Sequence, residues 1–124
     1  MKARNGDLQA AVLDVLWAAD EELTVREVQQ RLNASRELAY NTVLTVLDAL
    51  FKKNLVQRRL VGRAFVYRPS DSREAHTAEV MAHALDNGGD RSAALLHFVG
   101  KITDADLAAL RQLLDSEDEE GADS

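Results

Sequence analysis

Residues 38–68 read LAYNTVLTVLDALFKKNLVQRRLVGRAFVYR, and the apolar period changes inside that stretch. From about Leu38 to Lys53, the positions Ala39, Val43, Val46, Leu47 and Leu50 fall on one side of a helix turning about 100° per residue. The opposite side carries Asn41, Thr45, Asp48 and Lys52, with Thr42 at its edge. Lys52 and Lys53 suit the negative end of the helix dipole, and Asn54 is at ease in a left-handed helix stop. The period then drops to two. Val56–Leu60 and Ala64–Tyr67 read as strands with Val61-Gly62-Arg63 as the turn, and Arg68-Pro69-Ser70 closes a hairpin rich in arginine.

Upstream lie two further helices. Asp7 is the expected N-cap of the first, whose inner face is Leu8, Ala11, Val12, Val15, Leu16 and Ala19, with Trp17 beside it in the core. Asp20-Glu21-Glu22 is a polar loop. Thr24-Val25-Arg26-Glu27 has the spacing of a capping box, and Val25, Val28 and Leu32 form a short inner face. Downstream, Asp71 or Ser72 caps a fourth helix to about Leu85, Asn87-Gly88-Gly89 breaks the chain, Asp90 caps a fifth helix to about Val99, and Thr103 opens a sixth. Residues 115–124 are acidic and almost free of apolar side chains, so a disordered tail is expected there. The organisation predicted is mainly α with a small β-hairpin: a winged helix-turn-helix domain over residues 1–69, a helical dimerisation domain over 70–114, and the tail.

The net charge of −6 argues at first against nucleic acid, but it is an average of unlike halves. Residues 1–68 hold eleven Lys/Arg against eight Asp/Glu, whereas 69–124 hold four against thirteen. Between Lys52 and Arg68 there are six basic residues and no acid. A basic stripe of this kind is the footprint that a phosphate backbone needs. The chain has no cysteine, which removes disulfides, thiolate chemistry and Cys-ligated zinc. His76, His83 and His97 lack metal-ligand spacing, and no hydrolase, P-loop, zincin or dinucleotide fingerprint is present. No metal, no cofactor and no enzymatic activity are therefore expected. No apolar leader and no run of about 18 apolar residues occurs, so a cytoplasmic chain without membrane insertion is expected.

Three helices followed by a basic hairpin is the order of a winged helix, whose third helix fits the major groove of double-stranded DNA. Tyr40, Asn41, Thr42 and Thr45 are the candidates for base contacts, because Asn suits adenine and a Thr methyl can pack on thymine. Lys52, Lys53, Arg58, Arg59 and Arg63 are the candidates for phosphate contacts. Val80, Leu85, Leu95, Phe98, Leu107, Leu110, Leu113 and Leu114 give the last three helices apolar stripes that fit a homodimer interface.

Leu16-Trp17, Thr24–Val28, Ala39–Leu47, Leu50 with Lys52-Lys53, Gly62-Arg63-Ala64 with Tyr67, Ala94–Val99 and Leu107–Leu114 closely resemble the penicillinase-repressor family. The resemblance covers nearly all of the chain except the tail. It implies a homodimeric winged-helix repressor on a palindromic operator, controlling β-lactam or cell-wall stress genes and hence antibiotic resistance. It also implies release by cleavage through a membrane sensor metalloprotease. The sequence departs from the family at Asn54, where Gly is usual, at Ala49, where Arg is common, and at Asp48 on the DNA-facing side. His97-Phe98 stands where studied members are cut at Asn-Phe, and the copper-responsive branch is excluded by the lack of cysteine. Two alternatives stay open: a winged-helix regulator that senses a small ligand directly, and a helical protein-interaction dimer without DNA binding, which the negative charge and Asp48 would suit.

Overall fold

The computed structural model describes residues 5–122, and side chains within 6–117. The elements run α1 (Asn5–Ala18), β1 (Leu23–Thr24), α2 (Val25–Leu32), α3 (Tyr40–Lys52), β2 (Val56–Val61), β3 (Ala64–Pro69), α4 (Arg73–Asp86), α5 (Arg91–Val99) and α6 (Asp104–Ala122). The chain divides into two compact units, with the boundary between Thr77 and Ala78 inside α4.

In the first unit, α1, α2 and α3 pack around one core with the sheet. Leu16, Leu23, Val28, Leu47, Leu50 and Tyr67 are its fully buried anchors. The buried residues of α3, Val43, Val46, Leu47 and Leu50, follow the expected helical spacing. Ala39 does not belong to that face: it is exposed and is the N-cap, its carbonyl accepting from the Thr42 and Val43 amides. The helix therefore begins at Tyr40 rather than Leu38, and Leu38 is held outside it by Asn33 and Gln29, which bond its amide and carbonyl. Trp17 is half-buried at the edge of the core; its indole N–H donates to the Asp71 carbonyl at 2.9 Å. Asp7 lies within the first turn of α1, not at its cap.

The capping box forms as expected. The Thr24 hydroxyl accepts from the Glu27 amide at 3.2 Å, and the Glu27 carboxylate accepts from the Thr24 amide at 3.0 Å. The bond from the Thr24 backbone, then that from its side chain, hold the Glu27 carboxyl below its ordinary range. A carboxylate with a lowered folded pKa stabilises the fold above the ordinary carboxylate value, and that stabilisation is lost as pH falls through the lowered one. Thr24→Ala should cost about 1 kcal/mol at pH 7 by urea denaturation. The stability gap between wild type and Glu27→Gln should be largest near neutrality and close as the buffer is taken into the acid range.

The end of α3 is set by backbone chemistry. Asn54 sits at φ 64°, its amide donates to Phe51 and the Leu55 amide reaches back to Leu50. These are the two bonds of a Schellman stop, with Asn in the left-handed position that Gly commonly takes. Asn54→Ala should lose about 1 kcal/mol, since Ala tolerates that φ poorly, whereas Asn54→Gly should be close to neutral. Thermal melts of the two variants separate the cases.

The sheet has the order β1-β3-β2, antiparallel throughout. Val61 pairs with Ala64, so the hairpin loop is Gly62-Arg63 alone, shorter than the three-residue turn expected. Gly62 has φ 64° and Arg63 is not in the left-handed region, the pattern of a type II′ turn that needs glycine first.

At the end of the first unit Ser72 begins α4 by accepting from the Ala75 amide; in the second unit Asp90 caps α5 and Thr103 caps α6. Gly88 has no room for a side chain, because a Cβ there would lie 2.8 Å from the Ala84 carbonyl oxygen. No described side chain from Ala78 onward is buried. The acidic segment is a correction to the sequence reading. From Asp115 to Ala122 it continues α6 instead of forming a disordered tail, since Glu and Ala are good helix formers and α6 supplies the nucleus. The last two tail positions lie outside the described residues.

Candidate nucleic-acid interface

Helix α3 presents Tyr40, Asn41 and Thr45 as exposed residues and Thr42 as half-buried. The Thr45 hydroxyl donates to the Asn41 carbonyl at 2.8 Å. Its remaining outward features are a methyl group and acceptor lone pairs, so it suits a thymine methyl or a base donor. The Asn41 side chain has no hydrogen-bond partner among the described residues, which leaves both its donor and acceptor available.

The basic residues are less uniform than the sequence suggests. Lys53 Nζ donates to Gln9 Oε1 at 2.9 Å. Lys52 pairs with Asp48 at 3.1 Å, and Arg59 Nε bonds both Glu22 carboxylate oxygens at 2.8 and 3.0 Å. Arg68 bonds Gln57. Arg58 pairs with Asp48 and lies over the rings of Phe51 and Phe65. Arg63, exposed at the hairpin tip, has no ion pair among the described residues.

A cleft of about 420 Å³ lies between the start of α2, α3 and the hairpin. It brings Tyr40 together with Arg63, and it adds three residues that sequence reasoning missed: Arg26, Leu44 and Phe65. Arg26 had a legible signal. It stands in the first turn of α2, where the helix dipole disfavours a cation, so it breaks the charge pattern of an ordinary helix start. Leu44 and Phe65 are partly exposed apolar side chains on that same wall, and neither had a signal in its spacing.

The histidines occupy separate settings. His76 packs on the Trp17 ring, and His83 is bonded to Asn87. Among the described residues no cluster of His or carboxylates could hold a metal ion, and no helix is long and apolar enough to cross a membrane.

A helix braced by two others, with its polar face outward beside a two-stranded basic hairpin, defines a winged helix-turn-helix protein. The chain belongs to the penicillinase-repressor family, whose sequence pattern matches residues 5–116. It is 46% identical over 114 residues to the transcriptional regulator BlaI of two Mycobacterium tuberculosis strains, CDC 1551 / Oshkosh and ATCC 25618 / H37Rv. The match covers 90% of this chain and 83% of each relative. A solution structure of the DNA-binding domain of the repressor BlaI is 28% identical and superposes with a TM-score of 0.49, covering 59% of this chain and 90% of that domain.

Proposed function

We propose that the protein is a cytoplasmic, non-enzymatic transcriptional repressor that binds a palindromic operator in double-stranded DNA as a homodimer. The observation that carries this reading is the cleft that joins the exposed start of α3 to Arg63 at the tip of the wing. Residues 1–69 are the DNA-binding domain in this reading. Asn41, Thr45, Tyr40 and Thr42 read bases, and Lys52, Lys53, Arg59 and Arg63 meet phosphates. Residues 70–114 supply the dimer interface through Val80, Leu85, Leu95, Phe98, Leu107, Leu110, Leu113 and Leu114. Leu113, Leu114 and Val80 are more than half exposed in the single chain, large apolar side chains that a partner copy would take out of water.

Family resemblance supports control of β-lactam or cell-wall stress genes, with a membrane sensor metalloprotease as the partner that ends repression. His97 and Phe98 lie in the last turn of α5, ahead of its Gly100 cap. A cut there would sever the dimerisation helices, and the His in place of Asn makes the cleaving enzyme's tolerance the deciding factor. Fluorescence anisotropy with the DNA upstream of the protein's own gene tests the central reading. Saturable binding that survives excess unrelated DNA is expected; equal affinity for both would overturn it.

A further inference from the structure

Arg58 was read from sequence as a phosphate ligand, but its surroundings are those of a side chain with another task. Its guanidinium carbon lies 3.9 Å from the centre of the Phe51 ring and 4.5 Å from that of Phe65. Its Nη1 is 3.5 Å from Asp48 Oδ1, while the other Asp48 oxygen holds Lys52. The Arg58 side chain is 26% exposed, against 66% for Arg59 and 75% for Lys52.

These contacts join three elements. Asp48 and Phe51 are one turn apart on α3. Phe65 is on β3, where Tyr67 faces Arg58 directly, so Phe65 is the diagonal neighbour on the same face of the hairpin. The guanidinium thus touches two rings and a carboxylate at once, and the planarity that lets it lie over a ring is what lysine lacks. The tip residue Arg63 lies five residues beyond Arg58, about 16 Å along an extended strand. At that radius a 10° swing of the wing moves the tip by about 3 Å, enough to break a hydrogen bond to a phosphate.

We propose that Arg58 is a positioning residue: clamped by Asp48, Phe51 and Phe65, it fixes the angle between the wing and the recognition helix α3 and makes no phosphate contact of its own. Asp48 is then the anchor of the wing rather than a misplaced repulsive charge. The inference rests on the DNA-binding reading of α3 and the wing, and its test separates the two.

Full-length wild type, Arg58→Met, Arg58→Lys, Asp48→Ala and Arg63→Ala are titrated with the upstream DNA at several salt concentrations, and hydrogen exchange of the Val61 and Ala64 amides is followed without DNA. Arg58→Met and Arg58→Lys should both bind about tenfold more weakly with the slope of log K against log salt unchanged. Arg63→Ala should make that slope shallower by about 2 per dimer, one phosphate per protomer. Asp48→Ala should also weaken binding, although it removes a negative charge from the DNA-facing side. In free protein, Arg58→Met and Asp48→Ala should speed exchange at the wing tip about tenfold while the core amides of α3 keep their protection. A slope change in Arg58→Met equal to that of Arg63→Ala, near-normal binding by Arg58→Lys, or tighter binding by Asp48→Ala would each overturn the clamp. If no variant, wild type included, binds DNA, the DNA-binding reading fails, and the exchange data still decide the clamp: unchanged tip exchange refutes it.

Discussion

Leu110→Asp should turn the protein into a monomer that keeps its winged-helix unit and binds operator DNA at least about 100-fold more weakly. Leu110 is 44% exposed in the single chain and lies in the second compact unit, so an Asp there disturbs little in an isolated protomer. Exposed substitutions of that kind usually stay within about 0.5 kcal/mol. In a dimer the same position loses its solvent, and a carboxylate left unpaired there is strongly disfavoured. The apolar inventory points the same way. Leu96, Leu113 and Leu114 are 75%, 65% and 61% exposed, and Met81, Leu85, Leu95 and Phe98 line an apolar hollow of about 420 Å³ on α4 and α5. Joining two half-site readers raises affinity through effective concentration, typically by a factor of about 100 to 10,000, and a monomer forfeits that factor. Sedimentation at micromolar concentration reads the first half of the expectation, and DNA titration reads the second. A dimeric Leu110→Asp protein, or a monomer with undiminished operator affinity, would show that the interface lies elsewhere. Leu113→Asp is the companion variant, and loss of the α1–α3 core signal in either would mark misfolding instead.

The sequence was most legible where one local rule acted alone. The inner face of α3 follows from spacing because Val43, Val46, Leu47 and Leu50 have no role besides filling the core. The stop at Asn54 and the box at Thr24 and Glu27 follow from chemistry confined to a few residues. Ala39 was misread because period alone cannot separate the last residue before a helix from the first within it, and Ala carries no capping side chain to mark the boundary. Strand β1 is two residues long, too short for any alternation to register, and it exists through its pairing of Leu23 with Tyr67 and Thr24 with Val66. The site was obscured by the same non-local effect. Arg59 meets Glu22 from 37 residues away and Arg58 meets Asp48 across an element boundary, pairings that no local pattern registers, and the held Arg58 is the one cation of the wing that a tally by sequence overcounts. Asp48 looked like a defect on the DNA-facing side because its partners are set by tertiary packing.

The cation arrangement leads to an expected salt dependence. With Lys52, Lys53, Arg59 and Arg63 as phosphate ligands, a dimer offers eight cations, and six to eight neutralised phosphates give a slope of log K against log salt of roughly −5 to −7. Affinity should therefore fall by about three to four orders of magnitude between 50 and 200 mM salt. The intramolecular pairs of Lys52 and Arg59 do not remove them from this total. Exposed pairs of this kind contribute about 0–1 kcal/mol, so exchanging a carboxylate for a phosphate costs little. Asn41→Ala should behave in the opposite way to a phosphate ligand. A good bidentate contact from Asn to adenine discriminates by about 1–3 kcal/mol, so each half-site should lose roughly 5- to 150-fold in preference for its correct base. The salt slope should stay where it was, because no counterion is released by an amide. Arg63→Ala should weaken correct and scrambled operators alike while making the slope shallower. Parallel titrations of one operator and one scrambled duplex, each across the salt series, resolve the two signatures. An Asn41→Ala protein that loses affinity equally for both duplexes would remove α3 from base reading and leave shape and charge as the source of any preference.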